Sequence, residues 1–333
     1  MRHDDDHAAF ERPKRRTRPR TKERPNYDDA PVARVITIDR GRYTLRLLDP
    51  GVDDGAVVTA MKSRPLGRQG VVVGDEVRVV GDLSGRDGSL ARIVEVLERR
   101  TVLRRTADDD DPIERVVVAN ADQLVVVTAL ADPPPRPALI DRCLVAAYVA
   151  GMEPVVCLTK SDLADPQEMI ELLEPLGVRT LVTRRGDDLA EVRAALSGRV
   201  SVLIGHSGVG KSTLVNALVP GADRATSHVN ENTGRGRHTS TSALALELPA
   251  ELDGWIIDTP GFRSFGLAHV ELDDVIAAFP DLQQVTLDCP RGCTHAASEP
   301  ECALDAAVGA GTLAPARVAS LRRILAAKDV SPW

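Results

Sequence analysis

Val202-Leu203-Ile204-Gly205-His206-Ser207-Gly208-Val209-Gly210-Lys211-Ser212-Thr213 is the stretch on which the reading of this 333-residue chain turns. Three apolar residues run into G-x-x-x-x-G-K-S, and Thr213-Leu214-Val215-Asn216-Ala217-Leu218 continues with helical spacing. Strand, glycine-rich loop and helix in that order make a phosphate cradle. Glycines at 205, 208 and 210 let the backbone turn tightly, so that successive N–H groups converge on phosphate oxygens. Lys211 is then expected to reach the outer phosphates and Ser212 to ligate Mg²⁺, with the helix start adding partial positive charge. The expected nucleotide contacts run through Gly205, His206, Ser207, Gly208, Val209, Gly210, Lys211, Ser212 and Thr213. A glycine-rich turn that binds nothing is the plainer reading, and it leaves the complete set of specified residues unexplained.

Upstream, strands and helices alternate. Buried strands are expected at 123–128, 154–158, 179–183 and 200–204, with helices at 138–150, 166–175 and 188–196. That alternation predicts a parallel sheet covered on both faces, with ligands beyond the carboxyl ends of the strands. After strand 154–158 comes Thr159-Lys160-Ser161-Asp162, close to the N-K-x-D that reads guanine. A carboxylate there accepts from guanine N1–H and the 2-amino group, which adenine cannot match, and an unpaired carboxylate penalises the wrong base.

Downstream, Trp255-Ile256-Ile257-Asp258-Thr259-Pro260-Gly261-Phe262 is an apolar strand ending in D-x-x-G. Asp258 is expected to hold Mg²⁺, directly or through water, and the Gly261 N–H to sense the γ-phosphate. Gly234-Arg235-Gly236-Arg237-His238-Thr239-Ser240-Thr241 lies between, and Thr239 is the candidate to complete the Mg²⁺ shell. The base-reading motif thus precedes the phosphate loop, and D-x-x-G comes last. This is a circular permutation of the usual order, and chains tolerate it where termini lie close together.

The flanks read differently. Residues 1–30 are expected to form a disordered basic arm, with eight basic residues against one acidic between Arg12 and Arg24. Residues 31–106 show five short alternating stretches, at 34–38, 43–47, 56–60, 76–80 and 90–96, punctuated by turns. Such spacing suits a small closed barrel, of OB type or nearly as well SH3-like. Tyr43 is the only aromatic in that region, so RNA contact would use Arg and Lys on the backbone instead of base stacking. Asp108–Asp111 and Pro112 read as a linker, and 107–278 as the nucleotide-binding α/β domain. From 279 to 333 a small α-helical domain is expected around Cys289, Cys293, His295 and Cys302, a Cys₃His set suited to one structural zinc ion. Cys143 and Cys157 fall in a helix and a strand and read as core.

Bulk composition is that of an ordinary globular chain, 43% hydrophobic and 27% charged. The net charge of −7 conceals an asymmetry: residues 1–106 carry 23 Lys/Arg against 17 Asp/Glu, while the rest carry 19 against 32. A basic front half suggests a polyanionic partner. No apolar run approaches the roughly 20 residues that span a bilayer, and Met1–Asp6 has no apolar core of a secretory signal. A cytoplasmic chain is expected.

Taken together, the permuted motif order, Gly205–Ser212, Arg237-His238-Thr239, Asp258–Leu267 and the Cys/Cys/His/Cys cluster resemble the ribosome small subunit-dependent GTPase A family (RsgA), from about residue 31 to the end. The resemblance implies an OB-fold domain, a permuted GTPase domain and a zinc-binding domain. It also implies a GTP hydrolase, working with magnesium, that binds rRNA and assists late maturation of the small ribosomal subunit. Stimulation by that subunit follows, and a monomer is expected. Two features depart from the family pattern. Thr159 stands where Asn is usual, and the cysteine spacing is C-x₃-C-x-H-x₆-C in place of C-x₄-C-x-H-x₅-C. Phe262 follows D-x-x-G where many GTPases carry a water-orienting Gln, so slow intrinsic hydrolysis is expected, with His238 the candidate to reach the attacking water once the subunit is bound. The rival classes are an ATPase or kinase with a fortuitous T-K-S-D and an RNA-binding scaffold with an inert nucleotide domain.

Overall fold

The structure, a computed structural model, describes residues 26–49, 56–67, 69–106, 114–222, 243–260, 267 and 270–329. Residues 26–30, expected within the basic arm, form a turn docked on the barrel: Arg78 Nη1 donates to the Ala30 carbonyl at 3.0 Å and Val79 N–H to that of Pro31 at 2.9 Å.

Strands β1 (Val32–Asp39), β2 (Arg42–Leu47), β3 (Val57–Lys62), β4 (Glu76–Gly81) and β5 (Ala91–Val96) close a barrel in the order β1-β2-β3-β5-β4. Alternation in the sequence decides which side faces in: Val35, Leu45, Val58, Ala60, Val77, Val79 and Ile93 fill the interior. β3 and β5 run parallel, while the other pairs, including the β1–β4 closure, are antiparallel. That one parallel pair decides for the OB order over an SH3-like meander.

A hairpin not anticipated from the sequence, β6 (Val102–Thr106) with β7 (Glu114–Ala119), leads out of the barrel. The junction is tightly held. Gly74 has φ +88° and its absent Cβ would lie 2.1 Å from the Ala119 carbonyl oxygen. Asn120 Nδ2 donates to the Gly74 carbonyl at 3.1 Å, and Arg99 grips the buried Asp75 carboxylate at 2.7 and 2.8 Å.

Next come β8 (Gln123–Ala129), α1 (Pro137–Val149), β9 (Glu153–Thr159), α2 (Gln167–Leu173), β10 (Arg179–Val182), α3 (Ala190–Leu196), β11 (Val200–Ile204), α4 (Lys211–Leu218), β12 (Leu244–Glu247) and β13 (Trp255–Asp258). The sheet order is β10-β9-β8-β11-β13-β12, parallel throughout except for β12 at one edge. Continuous apolar runs such as Leu124–Val127 and Val202–Ile204 form the central strands because both faces are covered. The barrel meets the β12 edge, where Thr37 Oγ1 donates to the Ala243 carbonyl at 3.3 Å and Arg34 lies 5.2 Å over the Trp255 ring.

Four further helices follow: α5 (Leu272–Ile276), α6 (Pro280–Thr286), α7 (Ala303–Gly309) and α8 (Pro315–Asp329). α8 returns to pack on α1, with Arg142 Nη1 donating to the Ala327 carbonyl at 2.8 Å. One apolar cluster runs from Leu124 and Val156 through Ile140 and Leu144 to Leu321, Leu304 and Cys302. Among the described residues no helix is long and apolar enough to cross a membrane.

Candidate nucleotide site and metal cluster

The loop after β11 sits at the carboxyl end of a central strand, between β8 and β13. Its glycines are there for different reasons. Gly208 and Gly210 adopt φ +85° and +91°, and Gly210 caps α4. Gly205 is instead a matter of space: a Cβ would meet the Val127 carbonyl oxygen at 2.5 Å. Lys211, 10% exposed, is bonded to Asp258 and donates to the Thr259 carbonyl at 2.7 Å. The buried Thr259 hydroxyl in turn donates to the Leu203 carbonyl at 2.8 Å, which ties the end of β13 to the phosphate loop's own strand. Ser212 and Thr213 are exposed on the first turn of α4.

Thr159, the last residue of β9, points at the same loop. Its Oγ1 donates to the Val209 carbonyl at 2.6 Å and lies 3.3 Å from that of Thr128. A hydroxyl therefore does here the work that the departure from Asn left open. It fastens the base-reading segment to the phosphate loop. Thr159→Val keeps the shape, removes the donor and leaves a buried carbonyl unpaired, a cost of about 1–3 kcal/mol. A fluorescent-GDP titration should show nucleotide affinity weakened about tenfold, with the chain still folded by circular dichroism.

Lys160 takes φ +59° and bonds the Asp132 carbonyl, and Asp162 is exposed beside it. Thr159, Lys160, Asp162, Gly210 and Thr213 border a cleft of about 410 Å³. Its far wall, Thr183 to Gly186 with Leu189, was not picked out from the sequence. The signal was present, since that loop follows β10 and must emerge at the same sheet edge. Ser161 N–H bonds the Thr183 carbonyl at 3.3 Å and Thr183 N–H that of Leu158 at 2.8 Å, so the two loops are held together. His238, Thr239 and Gly261 lie outside the described residues, as does Phe262.

The second constellation is Cys289, Cys293, His295 and Cys302, whose ligand atoms all lie within 4.8 Å of one another. His295 Nδ1 is 3.5, 3.5 and 4.0 Å from the sulfurs of Cys289, Cys293 and Cys302. Tetrahedral zinc, with bonds of about 2.3 Å to S and 2.0–2.1 Å to N, places such atoms about 3.5 Å apart. The donor set fits one ion, and the shift of the inner Cys293–His295 pair by one residue has not spoiled it. Gly292 at φ +83° makes the turn that swings Cys293 inward. Backbone N–H groups of Ala303 and His295 lie 3.3 and 3.4 Å from the sulfurs of Cys289 and Cys293. Desolvation pushes Cys293 up to about 11 against the hydrogen bond from the His295 N–H, with the Cys302 and Cys289 thiols adding to the rise, and burial lowers His295. Cys143 and Cys157 are buried, and burial pushes both up to about 12, which makes them inert core thiols.

Fold and site together define a phosphate-loop GTPase with permuted strand order: the strands that carry the base-side loops come first in the chain, and those that carry the phosphate loop and Asp258 come after. Residues 96–268 match the family model described as RsgA GTPase. The small ribosomal subunit biogenesis GTPase RsgA of Pseudomonas aeruginosa is 42% identical over 243 residues, covering 70% of each chain. The crystal structure of YjeQ from Thermotoga maritima superposes with a TM-score of 0.66 at 25% identity, covering 90% of this chain and 98% of that one. The structure of YloQ, a circularly permuted GTPase, superposes at 0.64 with 24% identity over 92% and 98% of the two chains, and shares the fold. The chain belongs to the RsgA GTPase family.

Proposed function

We propose that this GTPase is a nucleotide-dependent switch in late maturation of the small ribosomal subunit, and that contact with the subunit stimulates its hydrolysis. The observation that carries the reading is that Asp162, Lys211 and Asp258 all lie at the carboxyl ends of the parallel strands β9, β11 and β13, with Lys211 bonded to Asp258, in a chain whose relatives are named for small-subunit biogenesis. In this reading Asp162 selects guanine, Thr159 and Lys160 brace the base-side loop, and the backbone from Gly205 to Thr213 holds the phosphates. Ser212, Asp258 and Thr239 would hold magnesium, whose chemistry is to neutralise charge on the β- and γ-phosphate oxygens. His238 is the candidate to orient water. The Cys₃His cluster would hold zinc in a structural role.

Ribosomal RNA is the proposed polyanion. On the outer face of the barrel, Arg42, Met61 and Arg92 stand opposite one another across β2, β3 and β5, with both arginines exposed. That row suits phosphate contact without base reading. A monomeric, cytoplasmic protein accords with this role. Cosedimentation with purified small subunits tests it. We expect the chain to pellet in a non-hydrolysable GTP analogue, to release in GDP, and to turn over GTP much faster when subunits are present. Binding indifferent to nucleotide would favour the inert scaffold. Competition of bound GTP by equimolar ATP would favour the ATPase.

A further inference from the structure

Helix α8 carries three arginines that reach in two directions. Arg322 turns toward the metal cluster: Nε donates to the His295 carbonyl at 2.8 Å, and Nη1 and Nη2 hold the Asp305 carboxylate at 2.8 Å each. His295 sits at φ +58°, a conformation that L-residues seldom adopt, so this bond pins a metal-ligating residue in a backbone geometry needing support. Arg323, the next residue, turns the other way. Its Nε and Nη2 hold Asp141 of α1 at 2.8 and 3.0 Å, and Nη1 donates to the Leu172 carbonyl at 3.3 Å. Arg317 donates to the Pro175 carbonyl at 2.8 Å, is paired with Asp281 and lies 5.0 Å over the Phe279 ring.

Leu172 and Pro175 belong to the end of α2 and the 3₁₀ turn after it, the segment that leaves the Asp162 loop. Met169, Leu173 and Leu176 of that segment share one apolar cluster with Leu321, Ile324 and Leu325 of α8 and with Cys302. A continuous chain of polar and packing contacts therefore runs from the metal cluster to the base-side loop. The two sites share no residue.

We propose that α8 is a strut through which the Cys₃His cluster positions Asp162, so that guanine-nucleotide affinity depends on metal occupancy. The proposal rests on reading the cleft as a guanine site and the cluster as a zinc site. With the ligands drawn together, Arg322 has a fixed carbonyl to hold and α8 stays seated. Arg317 and Arg323 then keep α2 in place behind Asp162. By thermodynamic reciprocity, bound nucleotide should also slow loss of the metal. Arg317 and Arg323 are positioning residues.

The test uses the full chain, fluorescent GDP and zinc. Removing zinc from the wild type with a chelator should weaken GDP binding about five- to tenfold, and adding zinc back should restore it. Saturating GDP should slow zinc transfer to a chromophoric chelator by a similar factor. Arg323→Lys should retain a full complement of zinc, bind GDP as weakly as the stripped wild type, and no longer respond to zinc. Equal GDP affinity in the loaded and stripped wild type would overturn the coupling. So would an Arg323→Lys chain that responds to zinc as the wild type does. If the stripped wild type unfolds by circular dichroism, zinc-loaded Arg323→Lys decides alone, and unchanged GDP affinity overturns the proposal. Failure of the loaded wild type to bind GDP at all would fall on the nucleotide reading itself, and the coupling would fall with it.

Discussion

Asp162→Asn is expected to lower GTP affinity by about two orders of magnitude and to create affinity for xanthosine triphosphate in its place. The carboxylate can accept two hydrogen bonds from the guanine edge, each worth about 1.5–3 kcal/mol when the acceptor is charged. An amide keeps one acceptor and turns the other into a donor, which faces the guanine 2-amino group donor to donor. Xanthine carries an oxygen at that position and matches the amide. Asp162 is exposed at the mouth of the cleft and Lys160 beside it bonds the Asp132 carbonyl, so the substitution should leave the fold intact. Competition of fluorescent GDP by GTP, XTP and ATP measures the outcome. Retained preference for GTP would mean that Asp162 does not touch the base.

The second large effect is expected from Gly205→Ala. The added methyl would lie 2.5 Å from the Val127 carbonyl oxygen and 3.0 Å from Val209 Cγ2. The first neighbour is backbone of a fully buried strand, so no rotamer change relieves the contact and the loop itself must move. Overpacking of this kind costs about 1–3 kcal/mol. The larger consequence is functional, because displaced N–H groups no longer converge on phosphate. Thermal melting should fall by several degrees and GDP binding should be lost. Gly309→Ala is the control, since nothing lies within 4 Å of its Cβ position and the residue ends helix α7. Its melting temperature should stay level or rise slightly.

The tie between α8 and α1 also bears on stability. Burial raises Asp141, while the Arg323 hydrogen bonds and charge lower it. Arg323→Ala would leave a carboxylate buried and unpaired, costing about 3–5 kcal/mol. Arg323→Lys is for that reason the better probe of coupling.

Much of the candidate site is legible in the sequence. The phosphate loop, T-K-S-D, D-x-x-G and the Cys₃His cluster are contiguous or nearly so, and their order alone implied the permutation. Strand positions in the barrel followed from alternation, but the choice of OB over SH3-like order did not, because it depends on β3 and β5 meeting in parallel. The β6–β7 pairing escapes the sequence reading, because the polar run Asp108–Asp111 with Pro112 reads as a linker and the strands on either side meet only through long-range pairing. The Thr183–Leu189 wall carries no motif of its own, and its role comes from lying beside the Asp162 loop.

Residue order is sufficient where the physics is local. Glycine at φ +85° and +91°, ligand spacing across a knuckle and alternation along a strand are demands on neighbours in the chain. Contacts between distant segments are not encoded that way. Thr159 meets Val209 across 50 residues, and Arg323 meets Asp141 across 182. Such pairs are decided by how strands order and helices cross. Tertiary packing alone makes Thr159 a brace for the phosphate loop, Gly205 a matter of clearance and α8 a bridge between the Cys₃His cluster and α2.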